Sequence, residues 1–148
     1  MSTTTSTPES IASTLLARQP YPPLCPKSVY DPALTQTIND LDAAPLVTAV
    51  LHLANDDLEG CHVIVQEMEG QPTANLLHAT LHRREGDYWN SKYWYARTTH
   101  PTVKRAEANA FVDLCEKVKN GRSNGDELEE KQWDEMKRIV EWVLKNER

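Results

Sequence analysis

His78–Pro101 reads HATLHRREGDYWNSKYWYARTTHP and holds three of the chain's five histidines, two of its four tryptophans and three of its five tyrosines. Gly86-Asp87 divides the stretch. Glycine readily supplies the left-handed conformation that ends a helix, and aspartate accepts the first free amides of the next one. The pattern therefore predicts two helices meeting at a tight turn. In the first, His78, His82 and Glu85 recur at spacings of four and three, so their side chains share one face. The second, YWNSKYWYAR, stops before His100-Pro101.

Outward from this pair the same signals repeat. Asp31 as cap with Pro32 at the first helical position predicts a short helix over 31–40, and Pro45 opens an apolar helix over 45–54. Further helices are expected over 56–69, from Thr73 or Asn75 to 85, over 102–119 and over 127–146. Their inward stripes are read as Leu58, Cys61, Ile64 and Val65; Leu76, Leu77, Thr80 and Leu81; Ala106, Ala110, Phe111, Leu114 and Val118; and Trp133, Met136, Ile139, Val140, Val143 and Leu144. Asn120–Asp126, NGRSNGD, is turn chemistry. Seven short helices with no strand pattern predict an all-α, single-domain helical bundle over 31–148. Residues 1–30 are rich in Ser, Thr and Pro. They read as an N-terminal arm, disordered at first and then lying across the domain.

Composition sets the outer limits. A chain of 148 residues fits one domain. Cys25, Cys61 and Cys115 lie far apart and odd in number, which argues against a disulfide framework or a zinc knuckle. The N-terminus lacks a basic segment followed by a long apolar run, and no stretch is apolar enough for a membrane span, so a soluble cytoplasmic protein is expected. The net charge of −6 opposes wholesale nucleic-acid binding. Arg83, Arg84, Lys92, Arg97, Lys104 and Arg105 nevertheless make the central segment a basic island.

Leu76–Pro101, with its Gly-Asp-Tyr turn, its aromatic second helix and the proline after it, resembles one tetratricopeptide or Sel1-type helical hairpin. A longer likeness is carried by His82-Arg83-Arg84-Glu85-Gly86-Asp87-Tyr88, by Tyr93-Trp94 and by His100-Pro101. These residues resemble the motif of a family of uncharacterised small bacterial and fungal helical proteins. That similarity spans about 90 residues, from Asp57 and His62 to the last helix. Gly86 stands where the family often has proline, and the resemblance implies no assigned activity.

Two chemistries fit the residues. Histidines at i and i+4 can aim both imidazoles at one ion, with Glu85 as a further ligand or an orienting group. Glu59 and His62 lie one turn apart on the preceding helix. A metal site of His62, His78 and His82 with Glu59 or Glu85 would suit Zn, Fe, Ni or Mn. Alternatively His78, His82 and Glu85 form the catalytic groups of a metal-free acid–base enzyme. Arg83, Arg84, Asp87, Asn90, Tyr93, Trp94 and His100 read as a ligand-binding surface, with the arginines holding a carboxylate or phosphate. There is no Ser-His-Asp set, glycine-rich phosphate loop or HExxH motif, so the reading leans to a protein that binds a small molecule or a protein partner. His52 and Cys115 are expected to be core residues.

Overall fold

A computed structural model describes residues 5–121 and 125–148. The described residues form eight α-helices and no sheet: α1 (Pro8–Leu16), α2 (Pro32–Asn39), α3 (Pro45–Ala54), α4 (Leu58–Val65), α5 (Pro72–Glu85), α6 (Tyr88–Tyr95), α7 (Arg105–Lys119) and α8 (Asp126–Asn146). The all-α expectation holds. The helix starts follow their caps. Asp31 accepts from the Ala33 amide, Asp57 from Gly60 and Asp87 from Asn90. Gly86, at φ +86°, turns the chain from α5 into α6.

The arm reading needs correction. Residues 1–4 lie outside the described residues, but 8–16 are a helix with Thr7 and Ser10 forming a reciprocal capping box and Pro8 in its first turn. Ile11, Ala12 and Leu15 of α1 are buried against α3 and α8, so the bundle incorporates part of the segment read as an arm. The cause is local. A Thr-Pro-Glu-Ser start is a helix signal inside a composition that otherwise suggests disorder. In the NGRSNGD loop, Arg122–Asn124 likewise lie outside the described residues.

Two helices are buried almost all round. In α3, Leu46–Leu51 is apolar apart from Thr48, and in α5 every residue from Thr73 to Arg84 is buried. Helices α1, α2, α4, α5 and α8 surround α3, while α4 and α6 flank α5. The last helix seals the core with Trp133, Met136, Ile139, Val140 and Val143, as expected, and the Trp133 indole donates to the Leu16 carbonyl. On α7 the buried face is Ala108, Phe111, Val112 and Cys115, not the stripe through Ala106, Ala110 and Leu114. The helix begins three residues later than expected, and its packing on the bundle turns a different face inward.

Arg83 and Arg84 point inward and are fully buried. Arg83 donates to Glu135 at 2.8 and 3.3 Å, to Gln132 and to the Tyr95 hydroxyl. Arg84 donates to the Leu53 carbonyl at 2.7 Å and to Asp56 at 2.5 Å. Arg18, at the end of α1, reaches the other oxygen of Asp56 at 2.8 Å and the Ala54 carbonyl at 3.2 Å. One buried carboxylate thus serves two guanidiniums, and both also satisfy carbonyls at the C-terminus of α3, where positive charge is favoured. Asp56 sits at φ +58°, a left-handed conformation that aspartate tolerates better than most residues.

Candidate functional site

Helices α4 and α5 bring His62, His78 and His82 together. The ring centroids are 4.9 Å apart for His62–His78, 5.6 Å for His62–His82 and 4.8 Å for His78–His82. One nitrogen from each lies within 4.8 Å of the others. An ion 2.0–2.1 Å from each nitrogen in tetrahedral geometry needs them about 3.3 Å apart, so the three rings would draw together on binding. His78 is 5 % and His82 9 % exposed, whereas His62 is half-buried, so the cluster opens to solvent on the α4 side.

Each ring has a different support. His82 Nδ1 donates to Glu85 Oε1 through a short hydrogen bond one turn along α5. That bond fixes the ring and leaves Nε2 as the free nitrogen, the arrangement that carboxylates impose on metal-binding histidines. His78 stacks on the indole of Trp94, with centroids 4.0 Å apart and planes 13° apart. Its Nδ1 is buried without a hydrogen-bond partner. Burial, reinforced by the positive charge that His82 and His62 would carry, lowers its pKa to about 4. At neutral pH its lone pair is therefore not blocked by a proton.

Glu85 and Asp87 form a second acidic edge beside His82, their ligand atoms within 4.8 Å of one another and of that ring. Asp87 is already engaged, accepting from the Asn90 amide and side chain. Glu59 is exposed and belongs to neither group, so the mixed site drawn through Glu59 is not assembled.

The remaining expected residues separate. Arg83 and Arg84 are not ligand-binding groups: their guanidiniums lie within the core, paired with Glu135 and Asp56. Helix geometry explains this, because residues 83 and 84 face away from 78, 82 and 85. Tyr93 lies between Trp89 and Arg97 on the outer side of α6. His100 is remote from the cluster. Its Nε2 meets the Thr73 hydroxyl, which donates to Glu147, and its Nδ1 accepts from Thr102. Buried His52 bonds Asn39, at the surface end of α2, at 2.8 Å, and burial pushes the Cys115 thiol up to about 11.

No family model, curated protein or solved structure matches this chain. Among the described residues, no helix is long and apolar enough to cross a membrane.

Proposed function

We propose that this protein binds one divalent transition ion through His62, His78 and His82, with Glu85 orienting His82 and a coordination position left toward solvent for a small ligand. The observation that carries this reading is the convergence of three imidazoles from two helices, one held by a carboxylate and one buried with an unpartnered nitrogen. A buried imidazole nitrogen without a partner costs about 1–3 kcal/mol, a cost that a bound ion would offset at His78. Three neutral nitrogen donors with no thiolate favour Cu, Ni, Zn or Fe over Mg or Ca.

The test is elemental analysis of untagged protein prepared without chelator, followed by titration with Cu²⁺, Ni²⁺, Zn²⁺ and Mg²⁺. One equivalent should bind, in the order Cu²⁺ above Ni²⁺, with Mg²⁺ inert, and Cu²⁺ should quench Trp94 through its stacking on His78. The His78→Ala/His82→Ala double variant should lose the ion. Failure of Cu²⁺, Ni²⁺ and Zn²⁺ alike to bind would sink the reading and leave His82–Glu85 as an acid–base pair.

Glu85→Gln tests the orienting role. It keeps the size of the side chain but weakens the hold on His82, so affinity for Zn²⁺ should fall about 10–100-fold with stoichiometry unchanged. Competition titration against a chromogenic chelator measures it. An affinity equal to that of the wild type would leave Glu85 without a part in the site.

A further inference from the structure

We infer that the outer face of α6 and the start of α7 form a docking strip for an acidic peptide segment bearing an apolar anchor. Trp89 is 73 % exposed and stacks on Tyr93 with centroids 5.7 Å apart. Arg97 lies 3.3 Å from the centre of the Tyr93 ring, one turn further on. Arg105 then reaches back to the Ala96 carbonyl at 3.1 Å, which brings α7 to the end of the same row. There Lys104 and Arg105 border a cavity of about 330 Å³ that also meets Tyr95, Thr99 and Val103.

The occupant follows from charge and from ring geometry. Arg97, Lys104 and Arg105 are exposed, and among the described residues none pairs with a carboxylate, although the chain as a whole carries −6. Lys92, within α6, is by contrast neutralised by Asp113 at 2.6 Å. Three unneutralised cations in a row call for an anionic partner. A large exposed indole calls for an apolar anchor, since tryptophan and arginine carry much of the energy of protein contacts. Single-stranded nucleic acid needs successive free ring faces. Here Tyr93 is occupied by Trp89 and Arg97, and Trp94 is turned in on His78, so Trp89 alone offers one. The pattern fits carboxylates on the cations with an apolar side chain beside Trp89.

Fluorescence anisotropy tests this with a labelled peptide of repeated Glu-Glu-Leu triplets, the same peptide with lysine for glutamate, and a labelled oligothymidylate. The acidic peptide should bind and weaken with added salt, while the lysine peptide stays free. Trp89→Ala and the double variant Arg97→Glu/Arg105→Glu should each weaken it at least about tenfold, the effect of losing an anchor worth 1.4 kcal/mol. These side chains are exposed, so circular dichroism and Zn²⁺ stoichiometry should stay as in the wild type, which separates this strip from the histidine site. Absence of acidic-peptide binding, indifference to both variants, or tighter oligothymidylate binding lost in the same variants would each overturn the inference.

Discussion

Asp56→Asn is expected to remove on the order of 3–5 kcal/mol of stability, the cost of breaking a buried ion pair by deleting one partner. The loss is large because Arg18 and Arg84 both depend on the Asp56 carboxylate, and both guanidiniums are shut away from water. Asparagine keeps the shape of the side chain and tolerates the left-handed backbone at this position, so the substitution isolates charge from conformation. Alanine would add a backbone penalty of about 1–2 kcal/mol. Arg18→Met should cost less, since Asp56 then keeps Arg84 and the long apolar stem still packs near Tyr30 and Trp133. Urea denaturation followed by circular dichroism gives the ranking. With a typical total of about 5–15 kcal/mol, the Asp56→Asn protein sits near the edge of folding. Equal midpoints for Asp56→Asn and the wild type would show that the cluster contributes nothing net.

Acidification should weaken the metal-free protein between about pH 6.5 and pH 4, by up to roughly 3 kcal/mol from His78 alone. The sign follows from proton counts. The pKa of His78 falls from an ordinary 6.5 to about 4 on folding, so in this window the unfolded chain holds a proton that the folded chain refuses. Stability therefore rises with pH across the window and is fully present above it. Burial lowers His52 and His100 as well, which adds to the slope in the same sense. His78→Phe preserves an aromatic ring against Trp94 but cannot titrate. Thermal melts of the two proteins across this range should diverge, with the flatter curve belonging to the variant. Parallel curves would remove His78 as the source.

Much of the architecture was legible because its signals are local. Asp31-Pro32, Pro45 and Gly86-Asp87 are punctuation that acts within one turn, and the helices they bound appear where expected. The shared face of His78 and His82 follows from a spacing of four. That His62 joins them depends on how α4 packs on α5, which the sequence suggested as a residue choice and could not place. Arg83 and Arg84 were read as ligand-binding groups because the carboxylates they pair with, Glu135 and Asp56, lie 52 and 28 residues away. His100 went astray for the same reason: Thr73 and Trp142 meet it only after the chain has folded. The α1 helix was hidden by composition. Its threonine cap and proline start were present, but serine, threonine and proline around them outweighed those two signals.

The four consecutive residues His82, Arg83, Arg84 and Glu85 divide their labour by direction, two toward the core and two toward the cluster. The consequence reaches any survey of variants in cells. Changes at the two middle letters register as missing protein, cleared by quality control before any ligand is met. On the proposed metal-binding reading, changes at the outer two leave normal amounts of a molecule altered in what it holds. A screen that scores growth alone would merge these four positions into one sensitive block, and counting molecules beside growth would pull them apart.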